Sequence, residues 1–359
     1  MSNHTISSPA GIKGFVSLIK FYVIGIIISF FLISGYGTNG LCIAADRPSK
    51  SAAVTKKYRK NVYHPKPLKK SSLKPSKTRN VKPVSTGVQA KAVYCINLAN
   101  NQTLITKNAD EKLPIASLTK LVTALLTLDH MPLDKPIIIP EHIKKVPKSV
   151  VGLKPGDTLS VEDLLRGMLI SSGNDCAEAL ACAFPGGKPG FIAALNKKAR
   201  SLGATNTKFF TPSGLDKKIP NSSNDDKDPE VDTNVSTARE MANITRIAFA
   251  NNTIRSISKT TSCVLASKLN PQGYHIRNTN RLLRDNLPVV GGKTGFTVRA
   301  GHCLTSEFSP GKERLVIVVL GSPDHFRDTR LLYVKALKQS QNQSNPVAAP
   351  ARSAQATTN

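Results

Sequence analysis

The stretch Leu287–Thr297 reads LPVVGGKTGFT. Gly292-Lys293-Thr294 has the look of the end of a phosphate-binding loop. Such a loop needs a further glycine five residues before Gly292, because successive backbone N–H groups must turn to face the phosphates. That position holds Leu287. A phosphate loop also runs into a helix, whereas Gly295-Phe296-Thr297-Val298 is a poor helix start and suits an extended strand. Lys293-Thr294-Gly295 therefore sits on a strand, and a nucleotide site is set aside.

Outward from that strand, AGHCLTSEF (300–308) and ERLVIVVLG (313–321) are two further extended runs, joined at Ser309-Pro310-Gly311-Lys312. DTRLLYVKALKQ closes the folded part as a helix. Near the other end, AVYCINLANNQTLITKN (92–108) alternates apolar residues around Asn100-Asn101 and predicts a β-hairpin. Between these ends the pattern is helical. LPIASLTKLVTALLTLDH (113–130) is apolar nearly all round, as a centrally buried helix is. Ser160, three before Asp163, marks a capping-box-like start. Gly173 interrupts that run, and a second helix is expected from Asn174 or Asp175. VSTAREMANITRIAFA forms another, with Ser236 or Thr237 as N-cap. DKKIPNSSNDDKDPEVDTN (216–234) reads as a surface loop. Strands at both ends with helices between predict one mixed α/β domain, of α+β type, over residues 88–338. Its terminal strands share a sheet.

Three short motifs stand out in this frame. Ser117-Leu118-Thr119-Lys120 opens the buried helix, and residues three apart share a helix face, so the Lys120 amine can reach the Ser117 hydroxyl. Free backbone N–H groups at a helix start suit an oxyanion. A lysine acts as base only when neutral, and burial beside another cation pushes its pKa in that direction. Ser-x-x-Lys alone is common here: it starts at Ser17, Ser71, Ser117, Ser256 and Ser309, and only Ser117 opens a long apolar helix. Ser172-Gly173-Asn174 falls in a tight turn between two helices, and Lys-Thr-Gly occurs once. Taken singly, Ser117 is a capping serine, Ser172 a helix-joining turn and Lys293 a solvated strand lysine. In this order and these local settings, coincidence is improbable.

The order Ser-x-x-Lys, Ser-x-Asn, Lys-Thr-Gly is the signature of penicillin-binding proteins and class A β-lactamases. With PIASLTKLVTALL, LKPGDTLSVEDLLRGMLISSGND, LGATNTKFFTPSGLD, STAREMA, NTNRLL and GGKTGFTVRAGHCL, residues 92–332 resemble low-molecular-weight penicillin-binding proteins of the D-alanyl-D-alanine carboxypeptidase family. The resemblance implies a serine β-lactamase-like fold: a five-stranded antiparallel sheet flanked by helices, a helical subdomain, and the site between them. It implies Ser117 as acylated nucleophile, Lys120 as its base and Ser172 as a proton relay. Asn174 would hold a substrate amide, and Lys293 with Thr294 the terminal carboxylate of D-Ala-D-Ala. The N–H groups of Ser117 and Phe296 would form the oxyanion hole, and Gly295 would let the peptide lie against the strand. Peptidoglycan stem peptides become the expected substrate and β-lactams covalent inhibitors, with no cofactor and no metal. Family members often carry a further β-rich domain and a C-terminal amphipathic anchor, where this sequence has a polar tail over residues 339–359.

Three rivals share these residues. A D,D-endopeptidase uses the same machinery. A β-lactamase needs a carboxylate to activate its deacylating water, and EVDTN (Glu230–Asn234) has the Glu-to-Asn spacing but Thr233 where the class A pattern has Leu. A catalytically idle wall-binding module would not need the catalytic side chains that are all present.

The rest of the chain speaks to location. The chain has 359 residues, is 40% hydrophobic and carries a formal charge of +27. Residues 46–87 hold thirteen Lys/Arg against one Asp, with much Pro and Ser. Such a run cannot bury enough apolar area to offset its ordering entropy, so it reads as a disordered tether. It is a solvated linker or a contact to anionic lipid or wall polymer. Nucleic acid is disfavoured, since Tyr58 and Tyr63 are its only stacking side chains. Within residues 1–45, FYVIGIIISFFLIS (21–34) has the length of a signal-peptide core, with cleavage after Ala44 or Ala45, or it stays as an N-terminal anchor. Export to the periplasm or the outer face of the cytoplasmic membrane is expected. Cleavage would remove Cys42 and leave five cysteines without metal-ligand spacing, expected as small buried hydrophobes.

Overall fold

The computed structural model of the chain describes residues 87–147, 149–219 and 231–344. The signal segment, nearly all of the tether, Glu230 and the last fifteen residues lie outside the described residues.

Five strands, β1 (Ala92–Asn97), β2 (Gln102–Lys107), β3 (Val289–Thr297), β4 (Gly301–Phe308) and β5 (Leu315–Ser322), form one antiparallel sheet in the order β3-β4-β5-β1-β2. Strands from near the two ends of the described domain thus meet at β1 and β5, in register from Ala92 opposite Leu320 to Asn97 opposite Leu315. Period-two alternation splits β5 between two cores. Val316, Val318 and Leu320 face the larger one, while Leu315, Ile317 and Val319 face Leu332, Tyr333 and Ala336 of the last helix. A strand buried on both faces reads as the unbroken apolar run LVIVVL.

The helices are α1 (Lys120–His130), α2 (Val161–Ile170), α3 (Asn174–Cys182), α4 (Gly187–Ser201), α5 (Ala238–Ala250), α6 (Asn252–Lys259) and α7 (His325–Ser344). α5 covers one face of the sheet and α7 the other, while α2, α3 and α4 build the helical subdomain around α1. α1 is buried from Lys120 through Thr127, as its all-round apolar pattern requires. Ser160 caps α2 by accepting from the Asp163 N–H at 3.0 Å. Thr237, rather than Ser236, caps α5, accepting from the Glu240 N–H at 3.1 Å.

Two boundaries differ from expectation. α7 runs to Ser344, so residues 339–344, expected as tail, continue the helix whose Leu332, Tyr333 and Ala336 pack on the sheet. The start of the buried helix is tighter than expected, as described below. The long loop before Ser236 is pinned at its ends by a two-residue ladder pairing Lys217–Lys218 with Val231–Asp232. Cys95, Cys176 and Cys303 are buried, Cys182 and Cys263 half-buried, and all five are free thiols. No helix of the described residues is long and apolar enough to cross a membrane.

Candidate active site

The position of Ser117 begins with Ala116, whose backbone is left-handed at φ 46°. That conformation stops the helix from extending backwards, so Ser117 lies in a 3-10 turn, Ala116–Thr119, and not in the first turn of α1. In a 3-10 turn residues three apart eclipse one another. Lys120 Nζ accordingly sits 2.7 Å from Ser117 Oγ. Two glycines allow other chain segments to press on this turn. A Cβ on Gly214, at φ +87°, would fall 1.9 Å from the Ala116 carbonyl oxygen, and one on Gly295 would fall 2.9 Å from the Ser117 nitrogen.

Lys120 is fully buried and has three oxygens around its amine: Ser117 Oγ, Asn174 Oδ1 at 2.7 Å and the Ser213 carbonyl at 2.8 Å. Asn174 Oδ1 and the Ser213 carbonyl can only accept. An ammonium would supply three protons, but a neutral amine has two N–H bonds and one lone pair. With both N–H bonds given to the carbonyl oxygens, the lone pair is left for Ser117, whose O–H then donates to Nζ. Burial pushes the Lys120 pKa well below its ordinary value, and the charge of Lys293 pushes the same way. Asp175 and Glu178 oppose this and are outweighed.

Ser172 is also left-handed, at φ 64°, a position a side-chain-bearing residue holds only at a cost. Its Oγ accepts from Lys293 Nζ at 2.8 Å. Lys293 is 1% exposed, which excludes a solvated strand lysine, and burial lowers its pKa to about 7. Thr294 Oγ1 lies 2.6 Å from Thr279 Oγ1. Thr279 is held from behind: its N–H donates to the Ile170 carbonyl, at the end of α2, at 3.1 Å. The buried Asp175 accepts from the N–H groups of Val151, Gly152 and Leu153, fixing the loop that passes in front of α3.

These groups meet at a cleft of about 370 Å³, with Ser117, Ser172, Thr294 and Gly295 on its surface. Lys120 and Asn174 lie beneath. Phe296 stands at the rim, 56% exposed, its ring 4.5 Å from that of His302, which stacks on His325 at 4.9 Å. His325 is lowered to about 4 by burial and by His302. Among the described residues no group of His, Cys, Asp or Glu could hold a metal ion.

A family model described as D-alanyl-D-alanine carboxypeptidase matches residues 77–324. The chain belongs to this carboxypeptidase family. It is 30% identical over 239 residues to the D-alanyl-D-alanine carboxypeptidase DacF of Bacillus subtilis, covering 65% of this chain and 58% of that protein. It is 34% identical over 256 residues to the D-alanyl-D-alanine endopeptidase of Escherichia coli, covering 68% and 76%. Among solved structures, the D-alanyl-D-alanine carboxypeptidase of Mycobacterium tuberculosis H37Rv superposes with a TM-score of 0.63 at 30% identity, over 70% of this chain and 92% of that one. The five-stranded sheet with its helical subdomain is the fold of this family.

Ser117, Lys120, Ser172, Asn174, Lys293, Thr294, Gly295 and Phe296, scattered over 180 positions of sequence, thus gather at one cleft of the carboxypeptidase-family fold. Asn174 is turned inward: its Oδ1 is taken by Lys120 and its Nδ2 reaches toward the Pro147 carbonyl at 3.4 Å. Asn234, the end of the EVDTN stretch, is fully buried and donates to Thr119 Oγ1 and the Thr211 carbonyl. It braces the turn that carries Ser117 from behind. Sequence reasoning missed Ser213, whose carbonyl orients Lys120, and Thr279, Arg281 and Arg284 on the cleft wall. The phrases PSGLD and NTNRLL carried Ser213, Thr279 and Arg281 without saying what each one touches, and Arg284 follows directly after the second.

Proposed function

We propose that the protein is a serine D-alanyl-D-alanine carboxypeptidase that trims the terminal D-Ala from peptidoglycan stem peptides. The single observation that carries this is the fully buried Lys120 amine 2.7 Å from Ser117 Oγ, with its two other contacts both acceptors. Ser117 Oγ attacks the carbonyl of the penultimate D-Ala as its proton passes to Lys120 Nζ. The N–H groups of Ser117 and Phe296 stabilise the developing oxyanion. Lys293 and Thr294 hold the terminal carboxylate, and Ser172, fixed by Lys293, relays the proton to the leaving amine. D-Alanine departs, an ester remains on Ser117, and water then cleaves that ester. Asn174 serves chiefly to orient Lys120 and reaches a substrate amide only if its side chain turns. β-Lactams acylate Ser117 by the same attack. No cofactor takes part.

A second reading, a D,D-endopeptidase that cleaves cross-links between stem peptides, is favoured by the 34% identity to the Escherichia coli endopeptidase. The chemistry on Ser117 is the same and only the leaving group differs. Either enzyme works outside the cytoplasmic membrane. Residues 1–45 direct or anchor the chain there, and the basic residues 46–87 act as a tether able to lie against anionic lipid or wall polymer.

Intact mass after exposure to benzylpenicillin tests the proposal. A persistent adduct on the wild type and none on Ser117→Ala supports it; folded wild type without an adduct sinks it. Release of D-alanine from a D-Ala-D-Ala peptide then separates carboxypeptidase from endopeptidase.

A further inference from the structure

The cleft is more basic than removal of D-alanine requires. One terminal carboxylate is already provided for by Lys293, Thr294 and the adjoining Thr279. Just past Thr279, a 3-10 turn, Arg281–Arg284, continues the same wall and places two exposed arginines on the cleft. Among the described residues no Asp or Glu lines the cleft, and none pairs with either arginine. The nearest in sequence, Asp285, is engaged by Arg330 at 2.7 Å. The Arg281 guanidinium lies over the Phe326 ring, 5.7 Å from its centroid, an arrangement that fixes the cation without neutralising it. Unpaired arginines in a concave site are suited to bidentate capture of a carboxylate.

Thr279, hydrogen-bonded to Thr294 and two residues before Arg281, links these arginines to the leaving residue. In the reaction proposed above, on which this inference rests, the leaving residue spans from the carbonyl at Ser117 to its own α-carboxylate at Thr294 and Thr279. Arg281 and Arg284 follow Thr279 in the chain and line the same cleft. We propose that Arg281 and Arg284 form an anion subsite for a second carboxylate carried by the leaving residue, so that the cleft takes acidic leaving groups larger than D-alanine. When such a peptide reacts, its amide C–N bond breaks and an ester forms on Ser117. The leaving amine takes the proton and carries both carboxylates away.

The test compares diacetyl-L-lysyl-D-alanyl-D-glutamate with its D-lysine counterpart on the full chain, with benzylpenicillin adduct formation read in the same samples. The expected kcat/KM ratio favours D-glutamate by about tenfold, carried mainly by KM and shrinking with added salt. In Arg281→Gln/Arg284→Gln the ratio falls toward one, and in Arg281→Lys/Arg284→Lys, which keeps the charges, most of it survives. Should the double glutamine variant not fold, each single glutamine variant is expected to lower the ratio. Wild type that forms the penicillin adduct but shows no preference, or a preference the glutamine variants leave in place, overturns the subsite alone. Wild type without an adduct overturns the acyl-enzyme reading and the subsite with it.

Discussion

Lys293 Nζ donates to Ser172 Oγ at 2.8 Å, across 121 positions of sequence. The contact joins the edge strand of the sheet to the helical subdomain, so the cleft between them is closed at its floor by one hydrogen bond between two residues of the site. With a pKa lowered to about 7 by burial, Lys293 is poised to lose its charge within the working pH range when no carboxylate is bound.

The free enzyme's kcat/KM on a D-Ala-D-Ala peptide is therefore expected to be bell-shaped. The acid limb reports Lys120, which must be neutral to act as base and whose pKa is lowered by burial and by Lys293. The alkaline limb is expected near pH 7, as Lys293 loses the charge proposed to hold the substrate carboxylate. An amidated substrate, lacking that carboxylate, should lose the alkaline limb. Identical profiles for the acid and the amide would remove Lys293 from carboxylate binding.

Lys293 should also cost stability. Its folded pKa lies below its unfolded value, so between about 7 and 10.5 the unfolded chain binds more protons and stability rises with pH. Lys293→Met is expected to melt higher than wild type at pH 6, by a margin on the order of 3 kcal/mol, and to lose that advantage by about pH 10. Thermal unfolding at the two pH values measures it; an equal margin at both would mean that packing, not charge burial, is responsible.

Lys120→Gln keeps a hydrogen-bonding side chain of similar length but has no titratable lone pair. Acylation by benzylpenicillin should slow by about 10³-fold or more, with no recovery at higher pH. Stopped-time mass spectrometry gives the rate, and a fall of less than tenfold would point to another base.

Gly295→Ala puts a methyl group 2.9 Å from the Ser117 nitrogen, a distance that forces either β3 or the nucleophile's turn to move. A shift of a few tenths of an ångström in an oxyanion donor is expected to cost about 10²-fold in acylation rate, with little change in melting temperature. Equal losses of rate and stability would instead show that the strand as a whole has been displaced.

Asn234→Ala removes a side chain whose oxygen accepts from the N–H groups of Phe210 and Thr211 and whose nitrogen donates to Thr119 and Thr211. Buried polar groups left without partners should lower stability by roughly 2–4 kcal/mol in chemical denaturation. No such loss would mean that water replaces the amide.

Much of this protein was legible in its sequence because the signals are local. Alternation across the β1–β2 hairpin, the unbroken apolar run of β5, the all-round apolar α1, the Ser160 cap and the break at Gly173 are each set by backbone geometry and burial within a few residues. The three motifs were legible for the same reason: Ser117 and Lys120 meet through one turn, and Ser172 lies in a tight turn before α3. Tertiary structure alone decided what surrounds them. That Lys120 is pushed toward its neutral form depends on burial and on Lys293, 173 residues away, and the direction of its lone pair depends on Asn174 and the Ser213 carbonyl, 54 and 93 residues away. That Lys293 is a buried cation, rather than a solvated one, depends on the helical subdomain closing over β3. The opposition of two charges and the orientation of a lone pair are properties of distance and dielectric in three dimensions, and neither is written in the order of residues along the chain.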